Sequence, residues 1–237
     1  TDLGRQKLTV TVQQQRDEHI LENNARSFYV DVFKSKLQIL LIAGSVSPDI
    51  SFIKSILQND RYEVNSLVHK SAGQFYEKLP SRQELDEVDI FIFMDFPMRG
   101  VNQVFQQNLI SAIESNKQPI LLFPGYNTSI ADLNRYAAFT PFQSGSILAK
   151  GQDVSAQLSP LGANHPIMHV AADAALSQSI WTELPPVTAP LVIRQLAPGS
   201  EVLAYARTER QQRVAPLIAI RTNGVHKSAA IFASQLW

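Results

Sequence analysis

No cysteine occurs anywhere in the 237 residues. Thiol catalysis, disulfides and Cys-ligated zinc are therefore excluded. The absence fixes no compartment, although it suits an exported chain that must avoid stray oxidation. Surplus charge is lacking too, since 21 Lys and Arg balance 21 Asp and Glu. That balance gives no global attraction to nucleic acid or to an anionic membrane. No apolar run approaches the roughly 20 residues of a spanning helix. A Gly-x-Gly-x-x-Gly loop and a Walker lysine are also missing, which argues against a nucleotide cradle and a nucleotide cofactor.

What is present suffices for a packed core, because 45% of the residues are hydrophobic. Residues 1–34 differ from the rest. "KLTVTVQQQ" alternates Leu8, Val10 and Val12 with polar residues, and "SFYVDVF" alternates through Phe28, Val30 and Val32. Each reads as a half-buried strand, with the turn-forming Asn23-Asn24 between them. A lone hairpin is marginal in water. Two readings stand: an edge added to the next domain, or the last hairpin of a β-sandwich domain, which we favour. The chain opens on Thr1 and stops within "SAAIFASQLW". The expectation is a piece of a longer protein.

Residues 35–237 read as an α/β domain. "KLQILLIAG", "DIFIFMDF" and "PILLF" are continuous apolar runs, as strands covered on both faces require. Ser47-Pro48-Asp49 opens a helix to about Gln58 with an N-cap, a first-position Pro and a first-turn acid. "YEVNSLVH" reads as a strand and "SRQELDEV" as a short helix. Val101, Val104, Phe105, Leu109, Ala112 and Ile113 form one stripe of a helix over 101–116. "SIADLNRYAAF" is expected to be helical. Alternating strands and helices predict a flavodoxin/Rossmann-like, doubly wound, mostly parallel sheet with helices on both faces. Past Pro141 the Ser- and Gly-rich "SGSILAKGQDVSAQLSPLGANHPIM" predicts loops and short strands. "DAALSQSIWTEL" is a helix closed by Pro185-Pro186, and three strands follow: "EVLAYART", "APLIAIRT" and "HKSAAIFAS". Asn223-Gly224 predicts a two-residue hairpin between the last two.

Ligands of open α/β sheets bind beyond the carboxyl ends of the strands. That places a candidate ligand cleft at Gly44, Ser45, Ser47, Asp95, Pro124, Gly125, Tyr126 and Asn127. Free amides at 44–47 could bind an anion, although an ordinary capped turn is the plainer reading. Asp95 could act in a site or cap the next turn through its own backbone. Pro124 stands where a nucleophile elbow needs Ser or Cys; it can neither attack nor donate to an oxyanion. Thr128 and Ser129 read as helix caps. His165 and His169 are four apart in "HPIMH", but Pro166 disfavours a regular helix there and no Glu completes a zinc motif, so no metal is expected. His165 reads instead as a loop cap. Arg207, Arg210 and Arg213 read as a solvated loop between strands.

Taken together, "KLQILLIAGSVSPDISFIKSIL", "DIFIFMDFP", "KQPILLFPG", "NHPIMHVAADAALSQSIWTELPPV" and "APLIAIRTNGVHKSAAIFASQLW" resemble the class I glutamine amidotransferase-like domain of large bacterial membrane-anchored proteins that often carry a von Willebrand A domain. "DEHILENNARSFYVDV" is similar to the closing hairpin of the sandwich domains that often precede it. True members with activity carry a Gly-x-Cys-x-Gly elbow and a later His-Pro-Glu. Here the elbow is Phe123-Pro124-Gly125, and His165-Pro166 is followed by Ile167. The resemblance thus implies a non-catalytic module of an extracytoplasmic, membrane-anchored protein, with no enzyme activity. Its partners would be neighbouring domains of the same protein or a second copy, with no nucleic acid and membrane contact only through segments outside this chain. Two alternatives remain: a hydrolase in which Asp95 or His165 activates water, and a small-ligand sensor with Tyr126 as a lid.

Overall fold

A computed structural model describes residues 4–13, 16, 24–32, 36–208, 211–234 and 236. The chain divides into two compact units, Thr1–Leu37 and Gln38–Trp237.

The first unit pairs β1 (Gly4–Thr11) with β2 (Ala25–Val32) antiparallel, Leu8 opposite Phe28. The period-2 pattern puts Leu8, Val10, Phe28 and Val30 on one face, and all four are exposed in this two-stranded ribbon. Asn23 and His19 lie outside the described residues.

The second unit follows the expected alternation as far as its middle. The elements are β3 (Leu37–Ala43), α1 (Pro48–Leu57), β4 (Tyr62–Ser71), β5 (Gln74–Phe75), α2 (Arg82–Asp86), β6 (Ile90–Met94), α3 (Gln103–Asn116), β7 (Ile120–Phe123) and α4 (Ile130–Leu133). Then come β8 (Phe142–Leu158), α5 (Pro160–Asn164), α6 (Ala174–Glu183), β9 (Val187–Leu196), β10 (Ser200–Thr208), β11 (Gln211–Asn223) and β12 (His226–Ile231). Ten strands form one sheet in the order β5-β4-β3-β6-β7-β12-β11-β10-β8-β9. From β3 the chain first moves outward to β4 and then returns past β3 to β6, so the winding reverses between β3 and β6.

Each apolar run of the central strands feeds two cores. Leu40, Ile42, Phe91, Phe93 and Leu122 face one side, packed with Leu85 of α2 and Phe105, Leu109 and Ile113 of α3. Ile39, Leu41, Ile92, Met94 and Phe123 face the other, packed with Ile50, Ile53 and Leu57 of α1. A strand covered on both faces has no polar side, which is why these runs do not alternate.

The sheet is mixed. β3–β6, β6–β7 and β7–β12 are parallel, whereas β12–β11, β11–β10, β10–β8 and β8–β9 are antiparallel. β8, a 17-residue strand, corrects the expectation of loops and short strands past Pro141, whereas β10, β11 and β12 fall where three strands were expected. Register shifts at Phe142–Gly145 and Ile147–Gln152 let β8 bend. Its glycines serve close packing, not turns: a Cβ at Gly145 would meet the Val192 carbonyl oxygen at 3.0 Å. β9, unexpected from the sequence, contains Pro190 and lies at the sheet edge, where a missing N–H costs no ladder bond. Arg207 stands exposed in β10 and Arg213 falls within β11, so these are strand positions; Arg210 lies outside the described residues. The last hairpin turns at Gly224-Val225, one residue later than expected, because Asn223 still pairs with His226. Gly224 takes φ 62 at the first turn position, as a type II′ turn demands.

Two helices also differ from expectation. In α3, Asn102 is the N-cap, Val104 is 64% exposed and Gln106 takes the buried place. At about 100° per residue Val104 falls on the solvent side of the Phe105–Leu109–Ile113 stripe. The segment after Ser129 forms only α4 and a 3-10 turn, Asn134–Tyr136. α2 opens with a capping box, and the Ser81 backbone and side chain hold the Glu84 carboxyl below its usual range.

Two tests follow. The Arg221 guanidinium donates to the carbonyls of Ala137, Ala138, Thr140 and Pro198, tying β11 to two connecting segments. Arg221→Ala should lower unfolding free energy by about 2 kcal/mol in urea titration, the scale of a hydrogen-bonded charged group; a loss below about 0.5 kcal/mol contradicts that tie. Tyr136 is fully buried between Phe93 and Phe96, and its hydroxyl finds no partner among the described residues. Burial pushes its phenol well above the usual range. The raised folded value means that stability is retained below about pH 10 and lost as pH rises further. Tyr136→Phe should leave stability equal or higher by up to about 1 kcal/mol near neutral pH, and should lessen the alkaline loss. A drop above 1 kcal/mol would mean that the hydroxyl is bonded.

Candidate functional site

Three loops meet beyond the C-terminal ends of β3, β6 and β7, on either side of the point where the winding reverses. Their common element is Asp95, which follows β6 with φ 53. Its N–H donates to the Phe123 carbonyl at 2.8 Å, and the Gly44 N–H donates to Met94 at 2.8 Å, so all three strand ends are registered together. The half-buried Asp95 carboxylate then accepts four bonds. Oδ1 takes the Asn127 backbone N–H at 2.8 Å and the Thr128 hydroxyl at 3.2 Å. Oδ2 takes the Asn127 side-chain amide at 2.7 Å and the Ser45 hydroxyl at 3.2 Å. Asp95 thus bridges two other loops and does not cap the turn after it, a correction to the local-cap reading. A charged acceptor strengthens each of these bonds.

Gly44 and Gly125 make room for Asp95, the first for its backbone carbonyl and the second for its carboxylate. A Cβ at Gly44 would lie 1.9 Å from the Asp95 carbonyl oxygen, and one at Gly125 would lie 2.6 Å from Asp95 Oδ1. Only a residue without a side chain fits either place. The turn between β7 and α4 is closed by the Thr128 N–H on the Gly125 carbonyl and by the Gly125 N–H on Thr128 Oγ1 at 2.9 Å. Pro124 and Gly125 are buried, whereas Tyr126 and Asn127 are exposed at the tip. Ser129 caps α4 through the Asp132 N–H.

Around this junction lie two clefts. The larger, of about 760 Å³, is lined by Gly44, Ser45, Tyr126 and Asn127 together with His69, Lys70, Tyr76 and Arg99. The smaller, of about 380 Å³, is lined by Ser45, Ser47, Asp95, Pro124, Gly125, Tyr126 and Asn127, with Asp49 and Ser234. Ser45, Tyr126 and Asn127 form the wall between them. All the predicted cleft residues therefore gather here, but in two spaces. Tyr126 is that wall and not a lid: a Cβ at Gly151 would fall 2.0 Å from its hydroxyl, so the ring rests on β8. At the α1 N-terminus Ser47 accepts from the Asp49 N–H, and buried Asp49 accepts the Leu236 N–H. Its own first-turn acid thus occupies that end, which leaves the capped-turn reading of 44–47.

His165 lies elsewhere. It caps the turn after α5, with Nδ1 accepting from the Ile167 N–H, and lines a third cleft with Ile90 and Ile120. Ile90 begins the strand that Asp95 follows, about 16 Å along the chain direction at 3.3 Å per residue. The two side chains do not converge. Among the described residues, no group of three His, Asp or Glu could hold a metal ion. Sequence reasoning missed Lys70 and Tyr76, because nothing local reveals that the β4–β5 turn folds over the strand ends.

Asp95→Ala should cost about 2–3 kcal/mol of stability, since it leaves the Asn127 amides and two hydroxyls without their charged acceptor. Asp95→Asn should cost less. Urea titration checks both, and an alanine variant within 0.5 kcal/mol of the parent contradicts the bridging role.

No protein-family model matches this sequence, and no curated protein matches it at a significant level. Solved structures do. A ThuA-like protein from Parabacteroides merdae is 14% identical at a TM-score of 0.52, over 83% of this chain and 79% of that one. The carbohydrate deacetylase Agd3 is 13% identical at a TM-score of 0.48, over 85% of this chain and 30% of that one. The glutaminase domain of a Trypanosoma brucei CTP synthase is 11% identical at a TM-score of 0.40, over 84% and 85%. At these identities the first likeness concerns the fold alone: this is an α/β chain with a large mixed sheet, similar in overall fold to a ThuA-like protein.

Proposed function

We propose that residues 35–237 form a non-catalytic, class I glutamine amidotransferase-like binding module with a doubly wound, flavodoxin/Rossmann-like core. One observation carries this reading. The turn after β7, where an amidotransferase needs its nucleophile, holds Pro124, Gly125, Tyr126 and Asn127 around a carboxylate that four donors already occupy. Acyl transfer needs an accessible attacking atom with a base beside it; the apex of this turn offers none, and the hydroxyls next to it are buried, Thr128 bonded to Gly125 and Asp95 and Ser129 capping α4. Reversal of the winding between β3 and β6 supports a ligand site at the same end. Separation of Asp95 from His165 disfavours the water-activating hydrolase. A ligand-sensing role uses the same clefts and is a form of this reading.

The module would belong to a larger, membrane-anchored, extracytoplasmic protein and would contact its neighbouring domains or a second copy. The exposed apolar face of Leu8, Val10, Phe28 and Val30 supports residues 1–34 as the closing hairpin of a preceding β-sandwich.

The purified chain should release no ammonia from glutamine above the uncatalysed rate. In a thermal-shift panel of small metabolites, a cleft ligand at 100 times its Kd should stabilise by about 2.7 kcal/mol. Glutamine turnover that follows the protein through purification would overturn the non-catalytic reading, and a panel without any stabilising compound would count against binding.

A further inference from the structure

The larger cleft carries unused positive charge. Among the described residues, Arg99, exposed at its rim, takes part in no hydrogen bond or ion pair. The Lys70 ammonium stands 5.6 Å above the Tyr76 ring and has no carboxylate partner among them. No Asp or Glu of the described residues lines this cleft. Asp95 lines the smaller cleft and already accepts from Ser45, Asn127 and Thr128, and Glu77 lines another and accepts the Val68 N–H.

The fold places these two cations together. Gly73, with φ 77, turns the chain between β4 and β5, and Gly100, with φ 83, follows Arg99. A Cβ at Gly73 would meet the Gly100 carbonyl oxygen at 2.4 Å, so the two turns are pressed backbone to backbone. His69 fixes the first turn by accepting the Gly73 N–H at Nε2, 3.2 Å away. Lys70 and Arg99 therefore flank one opening. The floor is apolar, with buried Met98 and half-buried Ile130 and Ile147, and Tyr126 stands as a side wall, 46% exposed. A volume of about 760 Å³ falls in the range of small-molecule pockets.

We propose that this cleft takes a small organic anion, a phosphate or carboxylate borne on a ring, with Arg99 and Lys70 as its charge partners and Tyr126 against the ring. The proposal rests on the reading of the module as a binder and names its ligand class. Arg99 offers a fork that matches either anionic group in two parallel hydrogen bonds, and Lys70 adds a point charge. The apolar floor and tyrosine face reward the ring and not the bare ion.

Isothermal titration calorimetry with phenyl phosphate, benzoate and benzyl alcohol at one ionic strength tests this. At least one of the two anions should bind at least tenfold more tightly than the alcohol. Arg99→Gln and Lys70→Gln should each weaken that anion about tenfold, the scale of a charge-assisted hydrogen bond. Both side chains are exposed and Arg99 is unbonded, so unliganded melting temperatures should match the parent, which separates a binding defect from a folding one. Tighter binding of phenyl phosphate points to a phosphate-bearing ligand, and tighter binding of benzoate to a carboxylate. Equal binding of the alcohol, or an unchanged anion affinity in the double variant, overturns the anion assignment and leaves the binding module standing. If none of the three binds, the anion assignment fails, and the binding reading is decided separately by the thermal-shift panel.

Discussion

The carboxylate of Asp95 is the constraint on which the top of this molecule depends. Three strand ends stop at the same level because the Asp95 backbone bonds to β7 while Gly44 bonds to β6. Its side chain then draws in Ser45 from one loop and Asn127 and Thr128 from another. Everything nearby is shaped to allow this. Gly44 and Gly125 yield the space that a Cβ would fill, and the β7–α4 turn is folded tightly enough to aim two Asn127 donors at one group. A buried or half-buried carboxylate without such donors would be costly; with them it joins the three loops through polar groups.

That junction also accounts for the division of the space above the sheet. Ser45, Tyr126 and Asn127 stand where the loops meet, so they split one broad opening into an acidic-backed cleft and a cation-rimmed cleft. The same wall carries the functional argument. In an active α/β acyl-transfer enzyme this turn would present a reactive atom, whereas here it presents hydrogen-bond donors to a neighbour. The hydrogen bonds of the turn are structural, and the surfaces on either side of it are where the proposed binding role would act.

Much of the parallel half was legible in the sequence, because its strands have no polar face and its helices carry explicit start signals. Ser47-Pro48-Asp49 and Ser81 with Glu84 cap α1 and α2 as their order suggests. In the antiparallel half β10, β11 and β12 were legible too, but β8 and β9 were not, for physical reasons that bear on particular residues. Gly145 and Gly151 look like turn residues, but they sit in a strand where a backbone or a tyrosine hydroxyl comes too close for a Cβ. Pro190 looks like a strand breaker, but an edge strand tolerates it. In α3 the error was one of angle, with buried Gln106 hidden by its polarity and exposed Val104 promoted by its hydrophobicity. The candidate cleft was found from its position at the strand ends. Its internal wall, and the cations that the β4–β5 turn delivers, depend on contacts between residues distant in sequence, which no local pattern carries.

Amide hydrogen exchange at Asn127 tests the central claim most directly. Asn127 sits exposed at the tip of a loop, where an amide ordinarily exchanges at close to the unprotected rate. If its N–H is held by Asp95 Oδ1, as the 2.8 Å bond requires, its protection should approach that of the Asp95 N–H bonded to Phe123, and both should fall together in Asp95→Ala. Exchange of the Asn127 amide at the free-loop rate in the parent protein would mean that Asp95 does not organise this end of the sheet.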